Sequence, residues 1–145
     1  MIGLIQRVSY AKVEVSGDVI GSIDQGILLL LGVQKGDTSE HVKKLVRKVI
    51  SCRIFSDEQG KMNLNLSQVE GKLLVVSQFT LAADTKKGNR PGFSNAGEPE
   101  LSRLLYEEFI RLSKEQGIEV ETGEFGADMQ VSSCNDGPVT FWLEV

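Results

Sequence analysis

The residues best placed for chemistry form a short polar cluster, Ser77, Gln78 and Thr80, which follows the apolar run Leu73-Leu-Val-Val76 and brackets Phe79. Hydroxyls and a carboxamide beside an aromatic ring can orient a carbonyl group, and a threonine hydroxyl with a base beside it can attack one. If the chain stays extended beyond Val76, Gln78 and Thr80 share one face while Ser77, Phe79 and Leu81 share the other. The plainer reading is that Ser77 and Thr80 only satisfy backbone at a strand end.

A second candidate is Asn135-Asp-Gly-Pro138. It is first of all a turn signal. Its chemical use would come from the backbone: proline has no N–H and can adopt a cis peptide, and glycine has no side chain to shield its carbonyl. Gly137-Pro138 can therefore present bare carbonyl oxygens. Set against an α-carbon, such oxygens tolerate hydrogen and repel anything bulkier, which selects on chirality and ignores side-chain type. A third candidate is the stretch from Asp84 to Pro99, which has no hydrophobic period and carries Lys86, Lys87, Arg90 and Phe93. Cations beside an aromatic suit a phosphate backbone with a stacked base, and suit a solvated loop equally well.

The elements that must hold these groups are mostly strands. Ile2 to Ser9 and Ala11 to Val15 read as two short strands, Val19 to Ile23 as a third after the Gly17-Asp18 turn, and Ile27 to Val33 as a continuous apolar one. The apolar run before Ser77 reads likewise as a strand buried on both faces, a rigid base for a site. Arg7, between Ile5 and Val8, sits on a solvent face or else points inward to an acceptor such as a backbone carbonyl. Asp37 and Glu40 resemble a capping pair for a helix over about Ser39 to Ser51, with Val42, Leu45, Val46, Val49 and Ile50 at helical spacing. Arg53 to Phe55 reads as a short strand and Asn63 to Ser67 as an irregular connection. A second helix starts at Pro99, carries the stripe Leu101, Leu104, Leu105, Phe109 and Leu112, and stops at Gly117. Ile118 to Val120, Asp128 to Ser132 and Val139 to Val145 close the chain as strands.

With 145 residues, 41% of them hydrophobic, the chain fits one domain over 1–145. No apolar run approaches the roughly 18 residues of a membrane span, and nothing at the N-terminus resembles an export signal, so a cytoplasmic protein is expected. The cysteines, Cys52 and Cys134, read as packed thiols in a reducing compartment. His41 is the only histidine and falls on the polar face of the first helix. A Ser-His-Asp or Cys-His site would need it, and a His-rich zinc site cannot be built, so no metal and no cofactor is expected. The net charge of −4 means that any nucleic-acid contact must be local, which singles out the Lys86 to Phe93 stretch.

Ser77-Gln-Phe-Thr-Leu81 with Asn135-Asp-Gly-Pro-Val-Thr140, in a chain opening Met-Ile-Gly-Leu-Ile-Gln-Arg-Val, resembles the D-aminoacyl-tRNA deacylases over essentially its whole length. The resemblance implies a mixed α/β fold: mostly antiparallel β-sheets in a barrel-like core, two main helices outside, and a homodimer with active sites at the subunit interface. It implies hydrolysis of the ester between a D-amino acid and the tRNA 3′ acceptor end, with activity on glycyl-tRNA and rejection of L-aminoacyl-tRNA. Gly137-Pro138 resembles the Gly-cis-Pro element that enters the partner's pocket. Gln78, Phe79 and Thr80 resemble the wall that holds the aminoacyl group and terminal adenosine, supported by Ser77 and Asn135. Arg7 resembles the arginine that steadies the Gly-Pro segment, and Met129 is expected in the same pocket. Thr80 then acts as a nucleophile, or else it sets geometry while the tRNA 2′-hydroxyl assists a water. The latter is expected, since no base is evident.

Overall fold

The computed structural model describes residues 1–145 and contains, in order, β1 (Ile2–Val15), β2 (Asp18–Ile23), β3 (Gly26–Gly32), α1 (Ser39–Ser51), β4 (Phe55–Ser56), β5 (Met62–Leu64), β6 (Lys72–Ser77), α2 (Pro99–Glu115), β7 (Val120–Thr122) and β8 (Gln130–Glu144). The main sheet runs β2-β1-β3-β6-β7, with β8 paired to β1. It is mixed. β1 pairs antiparallel with β2, β3 and β8, whereas β3–β6 and β6–β7 are parallel, joined by crossovers that carry α1 and α2 respectively. At Gly21 an added Cβ would lie 2.4 Å from the Thr122 carbonyl oxygen, so glycine lets β2 approach β7 and the sheet curl into a nearly closed barrel.

The continuous apolar runs are explained by two cores. Ile27, Leu29, Leu31, Leu73 and Val75 face the helices and pack with Val42, Leu45 and Val49 of α1 and Leu105 and Phe109 of α2. Leu28, Leu74 and Val76 face the barrel interior with Val8, Ala11, Val13 and Ile23. Alternate residues of one strand thus enter opposite cores, each worth about 1.5–3 kcal/mol in burial. Pro99 opens α2 and Gly117, at φ 81°, follows its end.

Several expectations are corrected. The two opening strands are one, because β1 changes partner from β3 (Ile2 to Val8) to β2 (Ala11 to Val15) while β8 follows its other edge. Helix α1 has the expected span, but Thr38 is its cap: the Thr38 N–H donates to His41 Nδ1 at 3.1 Å, so His41 takes the place expected for Glu40 and is half-buried. Asp37 is buried instead and accepts the Met1 ammonium at 2.7 Å. β4 and β5 pair as a small separate hairpin, starting later than Arg53 and earlier than Asn63. β7 begins at Val120, after the predicted start at Ile118. Cys52 is half-buried, whereas Cys134 is exposed on β8. No helix is long and apolar enough to cross a membrane.

Candidate active site

β6 is bonded to β3 on one edge and to β7 on the other, so Ser77 leaves a strand that cannot shift. The extended run then stops. The Gln78 N–H still donates to the Leu31 carbonyl at 2.8 Å, but Phe79–Ala82 is a 3-10 turn, closed by Leu81 N–H to Gln78 O (3.2 Å) and Ala83 N–H to Thr80 O (3.1 Å). The turn packs on Gly32, whose added Cβ would lie 3.0 Å from Leu81 Cβ. The expected strand alternation therefore fails after Ser77. Gln78 and Thr80 nevertheless meet, because the turn brings them together: Gln78 Nε2 donates to Thr80 Oγ1 at 2.5 Å. Phe79 and Thr80 open this turn, and the first N–H groups of a helical turn fall outside its own hydrogen bonds.

Beside this turn opens a pocket of about 480 Å³, its lining including Ser77, Gln78, Phe79, Tyr106, Phe125 and Met129. Met129 lines this pocket with Gln78 and Phe79, whereas Thr80 does not; Tyr106 and Phe125 were not singled out in the sequence, where Tyr106 reads as one more member of a helix. The Tyr106 hydroxyl donates to the Val75 carbonyl at 3.0 Å, and burial pushes the phenol up to about 12. It stays neutral and braces β6 against α2. Burial also pushes the Cys52 thiol up, away from thiolate chemistry. The one side-chain hydrogen bond at Thr80 comes from the Gln78 amide, which donates and cannot take a proton. This arrangement can orient a carbonyl and offer N–H groups to an oxyanion; it holds no base poised to activate Thr80.

The second candidate is built differently. The β1–β8 ladder runs from Glu14↔Gln130 to Val8↔Asn135 and resumes at Gln6↔Thr140, leaving Asp136 to Val139 looped out opposite Arg7. The expected turn between two strands is thus a bulge within one strand. The Gly137-Pro138 peptide is cis, and Gly137 has φ 137°, a conformation that favours glycine. Arg7 points inward: Nε donates to the Asp136 carbonyl at 3.0 Å and Nη1 to the Ile54 carbonyl at 2.8 Å. Its odd place between apolar neighbours is resolved by those acceptors. Asn135 closes the loop, with Oδ1 accepting the Val139 N–H at 2.9 Å and Nδ2 donating to Thr140 Oγ1 at 2.8 Å. Thr140 also accepts from Gln6 Nε2 at 3.3 Å, a role its place in the motif did not reveal.

On one chain the two candidates do not meet. Val131 lines the pocket, and from there β8 runs extended to Asn135, about 13 Å at the usual rise, before the bulge begins. Neither Gly137 nor Pro138 touches the pocket of its own chain. The third candidate lies closer. Phe93 and Phe79 are 5.1 Å apart between ring centroids and tilted by 57°, while Lys86, Lys87 and Arg90 are exposed and in no ion pair.

A nearly closed barrel-like sheet with two outer helices and an apolar pocket beside the turn after β6 defines a small mixed α/β fold. Residues 4–144 match the family model described as D-Tyr-tRNA(Tyr) deacylase, and the chain belongs to that family. It is 62% identical over 145 residues to a D-aminoacyl-tRNA deacylase of Shewanella sp. (strain W3-18-1) and 59% identical to one of Proteus mirabilis (strain HI4320), covering 100% of both chains in each case. Enzymes of that name are hydrolases of ester bonds. Among solved structures, a c-Myc DNA unwinding element binding protein superposes with a TM-score of 0.95 at 38% identity, covering 100% of this chain and 99% of that one. A probable eukaryotic D-amino acid tRNA deacylase gives 0.87 at 16% identity, over 99% and 98%, which is a likeness of fold alone.

Proposed function

We propose that this chain hydrolyses the ester joining a D-amino acid to the 3′ end of tRNA, in the cytoplasm, as a pair of identical copies. The reading is carried by the division of the site: a pocket beside the first N–H groups of the turn and a rigidly held Gly137-Pro138 bulge occupy one chain yet stand apart. A second copy resolves this by lending its bulge to the first copy's pocket. The surface around β8 suits such a partner, because Tyr10, Val131, Phe141 and Trp142 are exposed there.

In this reading the aminoacyl ester lies against Phe79, its carbonyl oxygen taking the Phe79 and Thr80 N–H groups. The partner's Gly137 and Pro138 carbonyls face the α-carbon, admit hydrogen and exclude an L side chain. Glycyl-tRNA passes the same filter. Water attacks with help from the ribose 2′-hydroxyl, and Thr80 keeps Gln78 in place.

The test is deacylation of matched D-tyrosyl-, L-tyrosyl- and glycyl-tRNA, with the oligomeric state measured by sedimentation. Hydrolysis of the D and glycyl esters by a dimer is expected. An active monomer at micromolar concentration would sink the shared site. Folded protein that cleaves none of the esters would leave a tRNA-binding module in place of the enzyme.

A further inference from the structure

We infer that the arm between Asp84 and Gly97 grips the single-stranded nucleotides just before the terminal adenosine, with Phe93 as a stacking platform and Lys86, Lys87 and Arg90 on their phosphates. This rests on the tRNA reading above and adds a second point of contact, outside the pocket.

The arm is a built element. Asp84 and Gly92 exchange backbone hydrogen bonds of 2.8 and 2.9 Å, which closes its tip into a hairpin-like loop. Its return limb is tied to the end of β3, where the Lys35 N–H donates to Asn95 O at 2.9 Å and the Gly97 N–H to Val33 O at 3.0 Å. The one acid in the arm, Asp84, uses its carboxylate on the Lys86 N–H at 2.9 Å. Elsewhere Lys12, Lys43, Lys72, Arg103 and Arg111 have carboxylate partners, while Lys35, Lys44, Arg47, Lys48, Arg53, Lys61 and Lys114 are in no ion pair; what distinguishes the arm is three cations within five residues, next to an exposed aromatic. The arm's cations have no carboxylate partner, in a chain with net charge −4, so their field is free for an anion.

Phe93 supplies the direction. It is 44% exposed although it leans on Phe79, itself 57% exposed on the rim of the pocket. Two open aromatic faces in contact, one at the pocket and one at the foot of a basic arm, make a path for consecutive bases. Stacking on an aromatic accepts any base, and exposed cations track the strand without reading sequence. A single-stranded 3′ tail satisfies both, whereas an acidic protein segment would use the cations and leave Phe93 idle.

The experiment compares D-tyrosyl-tRNA with 3′-O-D-tyrosyl-adenosine, which keeps the ester and lacks the preceding nucleotides. For the Lys86→Gln/Lys87→Gln/Arg90→Gln variant, kcat/KM on the tRNA ester should fall at least tenfold further than on the adenosine ester. Its log–log salt slope on tRNA should be shallower by about 2, from three phosphates at roughly 0.7 each on a single strand. Phe93→Ala should show a further loss of roughly tenfold on the tRNA ester, restored by Phe93→Tyr, which keeps the stacking face. Equal losses on both esters, or an unchanged salt slope in the triple variant, would overturn the inference while leaving the deacylase reading standing. Wild-type protein inert on both esters would overturn the deacylase reading itself. An arm that binds acidic peptide as tightly as it binds RNA would also count against the inference.

Discussion

The turn after β6 and the bulge in β8 both interrupt a strand to present polar groups, but they are held by opposite means. The turn at Phe79–Ala82 is held by main chain: Gln78 bonds to Leu31, the turn closes on itself, and β6 is flanked by strands on both edges. The bulge lies in an edge strand and is held by side chains, with Arg7, Asn135 and Thr140 supplying the bonds that the ladder lacks. A position set by backbone tolerates side-chain changes nearby. A position set by side chains does not, so the β8 bulge is where substitutions should act on selectivity without acting on the pocket.

Arg7→Ala tests that contrast most severely. It strips a charged donor from the Asp136 and Ile54 carbonyls, at about 1.5–3 kcal/mol for each hydrogen bond. The D-over-L preference in deacylation should collapse while the pocket keeps its shape; retained preference would show that the bulge holds itself. The β6 side has its own test, nearly as large. The Tyr106 phenol is raised from 10.0 to about 12, so between those pH values the unfolded chain ionises first and stability falls as pH rises, by about 2–3 kcal/mol in all. Below pH 10 this contribution should be constant. Thermal melts of wild type should decline across pH 10–12, and Tyr106→Phe should flatten that part of the decline.

Thr140→Val is the finer probe of the bulge, because it keeps the shape and removes the acceptor shared by Asn135 and Gln6. A loss of about 1 kcal/mol in thermal stability and a several-fold drop in D-over-L preference are expected. Thr80→Ala should have the smallest effect. The turn is closed by main-chain bonds, so stability should move by roughly 0.5 kcal/mol or less, and deacylation should remain measurable. Complete loss of turnover in folded Thr80→Ala protein would make Thr80 a nucleophile and break the comparison.

Much of the fold was legible because its signals are local. The period of Val42, Leu45, Val46 and Val49 marked α1 to the residue, and Pro99 with Gly117 marked the bounds of α2. The errors fell where distant partners decide. Thr38 displaced Asp37 as the cap because the buried Asp37 carboxylate is taken by the chain's first amino group, a contact 36 residues away in sequence. Asn135 to Pro138 reads as a turn in any sequence, and only pairing with β1 on both sides makes it a bulge.

By itself the sequence supplied the candidate groups: which polar residues leave β6, which glycine and proline can bare their carbonyls, and that the chain has a single histidine. Those are properties of residue type and short-range spacing, and they survive any arrangement of the chain. The tertiary structure decided the geometry: that Gln78 and Thr80 meet through a helical turn, that Arg7 points inward to carbonyls, and that pocket and bulge lie apart on one chain. The reason is physical. Strand pairing joins residues more than a hundred positions apart, such as Gln6 and Thr140, and its register depends on the whole sheet, so no local window contains it.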